Sequence, residues 1–245
     1  MRRPDRGLSP IRRDLAIVVS CEHGGHRIPA HYRSLFAGHE RVLISHRGWD
    51  PGALVLARAI ARACDAPLVA TTTSRLLVEC NRSIGHPQLF SEFTRRLPPD
   101  ERARLLERYY RPHRREVEEI ITRALESHER VLHIGVHTFT PVLKGTRRRA
   151  DVGLLYDPRR PFEHALADAL VVHLGLGAPA LVVRRNYPYR GWTDGLTTTL
   201  RSWLPRGQYA GIELEVNQAL ATRDAHAWSA TRRRIAASFR DAFPN

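Results

Sequence analysis

Short apolar runs rich in β-branched residues recur along the chain, and longer segments with helical periodicity separate them. This alternation predicts strands and helices that follow one another in an α/β layer fold. Most of the runs are apolar throughout, which is typical of strands buried on both faces of a largely parallel or mixed sheet. We predict strands at 15–20, 67–72, 75–80, 131–137, 152–156, 180–185 and 209–216.

The segments between these strands carry the signals of helices. We predict helices at 51–63, 98–127, 161–174 and 224–241. Asp50 is a candidate N-cap of the first helix, with Pro51 at its first position. The second helix is expected to break near Pro112, because proline lacks the N–H that a helix interior requires.

The length and the apolar pattern limit the class of protein. The 245 residues suit one α/β domain over 1–245, and residues 1–13 are a candidate disordered segment of it. Neither an apolar run of about 18 residues nor a signal-peptide pattern is present, so we expect a soluble, cytoplasmic protein. The three cysteines have the spacing of neither a disulfide framework nor a structural zinc site, which favours reduced thiols.

The net charge of +14 and the pI near 10.9 raise the possibility of a nucleic-acid partner. The basic runs lack the interleaved aromatic residues that would stack on bases. Lys144 is the only lysine, so the arginines look like a coding bias spread over the chain. We therefore expect a solvated basic surface, with nucleic acid as the less favoured partner.

Ionisable residues stand where buried strands end. Glu22 and His23 follow the first predicted strand, His137 closes the fourth, and Glu213 and Glu215 lie in the last. Ligands of open α/β sheets bind at the carboxyl ends of the strands, so these side chains are expected to meet there. Two histidines and a carboxylate can hold Zn²⁺ and leave one position for water, while a separate glutamate serves as general base.

Two other segments add candidates. "HRGWDPGA" places His46 and Asp50 beside a predicted helix start, where Asp50 is either a ligand or only a helix cap. "SRLLVECNRS" supplies Arg75, Asn81 and Arg82, whose polar groups could grip a substrate carboxylate or stabilise an oxyanion.

Six segments in order resemble the N-formylglutamate amidohydrolase family, a relative of the zinc carboxypeptidases and of aspartoacylase. They are "SCEHGGHRIP", "HRGWDPGA", "SRLLVECNRS", "VHTF", "NYPYRGWTDG" and "GIELEVNQAL", and they extend from about residue 14 to about residue 220. The resemblance implies a three-layer α/β/α fold of the zinc-carboxypeptidase type, with a central mixed, largely parallel sheet.

The resemblance also implies roles for individual residues. These are zinc ligation by His23 and His137, binding of the substrate carboxylate by Asn81 and Arg82, polarisation of the scissile carbonyl by Arg75, and general-base catalysis by Glu215. Glu213, two residues earlier on the same strand face, is the alternative base. The third zinc ligand is predicted to be Asp50, with His26 as its rival. Glu79 replaces the aspartate usual in the family, and Glu22 is a candidate to fix a histidine tautomer.

Together these expectations describe a zinc-dependent amidohydrolase that removes a small N-acyl group from a carboxylate-bearing amino acid, with N-formylglutamate as the reference substrate. The nearest alternative is a carboxypeptidase-like or aspartoacylase-like zinc hydrolase. A cysteine hydrolase that uses Cys21 with His23, and a non-catalytic basic nucleic-acid-binding protein, are the rivals from other classes. The sequence leaves the acyl group, the amino acid, the physiological metal and the oligomeric state open.

Overall fold

A mixed sheet of six strands forms the centre of the described structure. The computed structural model describes residues 14–176, 180–222 and 224–244. The sheet strands are β1 (Leu15–Cys21), β2 (Leu68–Ala70), β3 (Arg130–Phe139), β6 (Val152–Leu155), β7 (Val183–Arg185) and β8 (Tyr209–Asn217). A short antiparallel hairpin, β4 (Val142–Leu143) and β5 (Thr146–Arg147), follows β3.

The strand order is β2-β1-β3-β8-β6-β7. The first four strands in this order are parallel to one another. β6 runs antiparallel to β8, and β7 is parallel to β6. The predicted fold class, a mixed and largely parallel sheet, is therefore confirmed.

Helices cover both faces of the sheet. They are α1 (Glu40–Leu43), α2 (Ala53–Ala63), α3 (Pro99–Leu105), α4 (Arg111–Ser127), α5 (Pro161–Gly175), α6 (Leu196–Trp203), α7 (Gln218–Thr222) and α8 (Ala225–Ala242). α2, α5 and α8 pack on one face, and α4 and α6 pack on the other. The result is the expected three-layer α/β/α arrangement. None of the helices in the described ranges is both long and apolar enough to cross a bilayer.

The two faces of the sheet differ in chemistry. Side chains alternate along a strand, so residues two apart share a face. In β3, Leu132, Ile134 and Val136 pack in the core under α2, α5 and α8. The alternate residues of the same strand include His133 and His137, which are buried on the opposite face, towards α4 and α6. The polar residues of β1 and β8 on that face are Ser20, Glu213 and Glu215, and Glu22 continues the series just after β1.

One predicted strand is wrong. Residues 75–80 form a turn and an irregular segment, with Leu77 N donating to Ser74 O. Leu76 and Leu77 are buried against Tyr32 and Phe36 in a small separate cluster. The apolar run therefore reports burial in that cluster rather than pairing in the sheet.

The predicted helices are present with shifted boundaries. Gly52, with a φ of +89°, precedes α2, so the Asp50 side chain does not cap this helix. The region 98–127 changes character at a π-helical turn, Leu106–Tyr110, several residues before the expected break. Pro112 lies in the first turn of α4, directly after the π-helical turn. The prediction for residues 1–13 concerns a segment outside the described residues.

Candidate active site

Three buried side chains meet at the carboxyl end of the sheet. His23 Nδ1 lies 3.3 Å from Asp50 Oδ2, His137 Nδ1 lies 3.2 Å from the same oxygen, and the two Nδ1 atoms are 3.1 Å apart. Ligands at about 2.0–2.1 Å from a tetrahedral zinc ion are separated by about 3.3–3.4 Å. The triangle therefore has the dimensions of three vertices of such a site.

Chain connectivity brings the three residues together. His23 follows β1, and His137 lies near the carboxyl end of β3, which pairs with β1 in parallel. Asp50 comes from the loop before α2, and its backbone N–H donates to His23 O at 3.0 Å. Its carboxylate also accepts from Thr138 N at 3.3 Å. Asp50 is thereby held between the two strand ends.

A carboxylate lies behind each histidine ring. His23 Nε2 is 2.5 Å from Glu79 Oε1, and His137 Nε2 is 3.2 Å from Glu22 Oε2. The His23 contact is a hydrogen bond, while the His137 contact is an ion pair without hydrogen-bond alignment. Because an ionised carboxylate only accepts, each one favours hydrogen on the Nε2 atom that faces it, and in neutral rings both Nδ1 atoms then present lone pairs. Three acceptor atoms consequently face one another, and none of them carries a hydrogen to donate. Such a set of ligand atoms fits a divalent cation. Metal-bound histidines are commonly oriented by such carboxylates.

The electrostatics of the triangle favour positive charge. Burial lowers the pKa of His137, but its hydrogen bond to Asp50, its contact with Glu22 and the charges of both carboxylates outweigh burial and hold this pKa well above its ordinary value. Burial raises the pKa of Asp50, but the charge of His23 and hydrogen bonds from both histidines hold it far below the usual range. In the absence of a metal, protons on the imidazoles take the place that a cation would fill.

Glu215 lies beside the triangle with a free carboxylate oxygen. It is opposite His137 in the β3–β8 register and is buried, and its Oε2 has no hydrogen-bond partner among the described residues. Burial, supplemented by the charges of Asp50 and Glu213, raises its pKa to about 8. Glu213, by contrast, accepts from Asn81 Nδ2 at 3.3 Å and from Thr197 Oγ1 at 3.4 Å.

The other predicted residues line the same cavity, whose volume is about 310 Å³. Arg75 donates to Glu79 Oε2 at 2.7 Å through Nε, and its Nη1 is 3.5 Å from Asp50 Oδ1. Arg82 Nη1 donates to Asp194 O at 2.6 Å. Asn81 accepts from Leu196 N at 2.7 Å and donates to Glu213, so both ends of its amide are engaged within the protein.

Comparison with known proteins identifies the family. The model of the N-formylglutamate amidohydrolase family matches residues 15–222. The chain belongs to the N-formylglutamate amidohydrolase family. Membership supports an amidohydrolase and confirms the resemblance seen in the six segments. No curated protein matches the chain in the corresponding comparison.

Two solved structures are similar to the chain over most of its length. The gene product Atu2144 from Agrobacterium tumefaciens is 31% identical, with a TM-score of 0.78 over 95% of this chain and 91% of that one. An N-formylglutamate amidohydrolase from Ralstonia eutropha JMP134 has a TM-score of 0.67 at 20% identity, over 94% of this chain and 93% of that one. The second likeness is one of fold alone.

Two rival candidates from the sequence, His26 as a zinc ligand and Cys21 as a nucleophile, lie apart from the triangle. His26 is exposed, and its ring lies 5.1 Å from that of Trp49, so it is not part of the cluster that Asp50 completes. Cys21 is fully buried in the core under α2. Burial raises the pKa of its thiol well above the ordinary value, and the nearby charge of Glu22 raises it further. A nucleophilic thiolate at Cys21 is therefore disfavoured.

Sequence reasoning missed several residues around the cavity. Glu79 contacts both His23 and Arg75, although in the sequence it stood out only as a departure from the family pattern. Tyr189, Thr193 and Asp194 line the cavity and lie in the "NYPYRGWTDG" segment. That segment carries part of the family resemblance, but its residue types alone indicate no role for these side chains.

Proposed function

We propose that the protein is a zinc-dependent amidohydrolase that removes a small N-acyl group from an amino acid bearing a carboxylate, as in N-formylglutamate. The observation that carries this proposal is the triangle of three acceptors on His23, Asp50 and His137, beside the free oxygen of Glu215. Family membership supports amide hydrolysis, and the cavity of about 310 Å³ suits a small substrate.

His23, Asp50 and His137 would hold the ion, which when bound lowers the pKa of a water ligand to about 7 and polarises the carbonyl. Glu215 accepts the proton of the attacking water and delivers it to the departing amine. Positive charge at the triangle favours the ionised form of Glu215 and so offsets the effect of burial on its pKa. Arg75, which lines the cavity, stabilises negative charge that develops on the carbonyl oxygen.

Arg82 is the candidate to bind the substrate carboxylate. Its guanidinium borders the cavity and has no carboxylate partner among the described side chains, so a charged hydrogen bond remains available. Asn81 contributes indirectly in this proposal, because its amide holds Glu213 and the start of α6.

The test pairs metal analysis with hydrolysis assays on formyl, acetyl and peptidyl derivatives of glutamate and aspartate. We expect stoichiometric zinc in the wild-type protein, and its loss together with activity in His23→Ala and His137→Ala. His26→Ala is a matched control on the same segment and should retain both. Wild-type protein without any stoichiometric transition metal, or equal metal content in all variants, would contradict the proposal.

A further inference from the structure

The inner face of α4 carries polar residues where helical periodicity calls for apolar ones. The buried positions of this face are Tyr110, His113, Arg114, Val117 and Ile121, spaced as one stripe of a helix. The last two pack against apolar residues of the sheet. His113 and Arg114 lie one to two turns earlier, in the "RPHRR" run that the composition would assign to a basic surface.

Both polar side chains of this stripe hold loops of the candidate site. Arg114 Nη1 donates to Cys80 O at 3.1 Å, directly before Asn81. His113 Nε2 lies 3.2 Å from Glu22 Oε1. α4 therefore supports the loop that follows β1 as well as the loop at 79–82.

The contact of His113 continues to a candidate zinc ligand. Glu22 uses its second oxygen, Oε2, towards His137 Nε2 at 3.2 Å. All three side chains are buried. The His113 contact is a hydrogen bond, whereas the His137 contact is an ion-pair contact, because His137 Nε2 has no aligned hydrogen-bond partner among the described residues. The carboxylate only accepts, so it favours hydrogen on the ring nitrogens that face it and leaves the Nδ1 lone pair of His137 directed to the triangle. Without His113, one buried carboxylate oxygen would lose its donor and Glu22 would lose its fixed orientation.

The other histidine of the triangle is supported in the same way. Arg75 contacts Glu79 Oε2 at 2.5 Å through Nη2, and Glu79 Oε1 contacts His23 Nε2 at 2.5 Å. Each candidate ligand is thus backed by a carboxylate, and each carboxylate by a further donor. His113 occupies the position in one chain of contacts that Arg75 occupies in the other.

We propose that His113 is a positioning residue of the metal centre, which fixes the tautomer and orientation of His137 through Glu22. The proposal rests on the proposed function, because the ion concerned is the zinc invoked there. It predicts that His113 acts on metal affinity separately from its contribution to folding. Loss of the direct partner of a metal-bound histidine, here Glu22, costs about 10–100-fold in affinity, and His113 acts on that partner.

The experiment compares His113→Gln with His113→Asn by titrating the metal-free proteins with Zn²⁺ against a chromogenic chelator. The glutamine amide nitrogen lies as many bonds from Cα as imidazole Nε2 does, so it can reach Glu22, whereas the asparagine amide is one bond short. We expect His113→Asn to lose about 10-fold in Zn²⁺ affinity, the low end of the range for a direct partner, and His113→Gln to lose far less. Unchanged affinity in His113→Asn would overturn the proposal.

His133→Asn is the matched control for removing a buried histidine. His133 bonds to Ser20 Oγ at 2.8 Å and to Tyr209 Oη at 2.9 Å on the same sheet face. We expect both asparagine variants to lower the melting temperature of the metal-free protein, but only His113→Asn to lower Zn²⁺ affinity. Equal loss of affinity in the two would make His113 merely structural and refute the proposal.

A second variant covers the case in which His113→Asn does not fold. His113 and His137 face different oxygens of Glu22, so Glu22→Gln keeps the side-chain volume but turns an amide NH₂ donor towards one of the two imidazoles. It should lower Zn²⁺ affinity as His113→Asn does, and unchanged affinity would again refute the positioning role. Wild-type protein that binds no Zn²⁺ would overturn the proposed function and this inference together, whereas normal binding with unaffected variants would overturn only the inference.

Discussion

Replacing Glu215 by glutamine tests the assignment of the general base, and Glu213→Gln is its matched control. The two glutamates lie on one face of β8 and differ in their contacts. Glu215 Oε2 has no partner in the described structure, while Glu213 Oε1 accepts from Asn81 and Thr197. A glutamine at 213 can still accept both bonds through its amide oxygen. Neither substitution therefore removes an existing hydrogen bond at these atoms.

The expected magnitude follows from this difference. A positioned general base contributes about 10²–10⁴-fold to the rate. At 1.36 kcal/mol for each factor of ten, Glu215→Gln should raise the activation free energy by about 2.7–5.4 kcal/mol. Glu213→Gln leaves the free carboxylate of Glu215 in place, so its loss should be much smaller.

The assay is steady-state hydrolysis of N-formylglutamate, with zinc content and melting temperature measured on the same samples. We expect the loss in Glu215→Gln to appear in kcat, with zinc content and KM close to those of wild type, because neither the triangle nor Arg82 changes. Near-wild-type kcat in Glu215→Gln, or a larger loss in Glu213→Gln, would refute the assignment. Loss of zinc from Glu215→Gln would show that this residue contributes to the metal site instead.

Three further predictions concern the metal, the thiols and the cavity. Chelation should lower the melting temperature by about 8–16 °C. An ion at 1,000 times its Kd stabilises the fold by about 4 kcal/mol, and each kcal/mol is worth about 2–4 °C at this chain length. An unchanged calorimetric melt would contradict a tightly bound ion at the triangle. The three cysteines should react slowly with a thiol reagent at pH 8 until the protein unfolds. All three are buried, and burial raises the pKa of the Cys64 thiol to about 11. Fast labelling of the native protein would contradict this prediction. Gly153→Ala should destabilise the protein by about 1–3 kcal/mol in denaturant titrations. The Cβ of an alanine at this position would lie 1.7 Å from Tyr187 O. Wild-type stability would contradict the close approach of the segment before Tyr189 to β6.

Much of the fold could be predicted because its signals are local. Strands β1, β3 and β8 are encoded by short apolar runs, and polar residues at their ends or on one face mark the edge where a site forms. His23, His137 and the pair Glu213 and Glu215 could be placed at this edge in this way, since strand direction and two-residue alternation do not depend on the loops. The preference for Glu215 over Glu213 came from the family resemblance. The failure at 75–80 has the opposite cause, because an apolar run reports burial but not the partner that buries it.

The sequence by itself determined the class of fold, the family and the strand residues that meet at the sheet edge. Only the tertiary structure decided which loop residue joins them: Asp50 is held by its backbone bond to His23, while His26 points to solvent beside Trp49. It also decided that His113, in a run that reads as basic surface, is buried against Glu22. Such contacts depend on how loops and helices pack across long sequence separations, and residue type and spacing do not encode that packing locally.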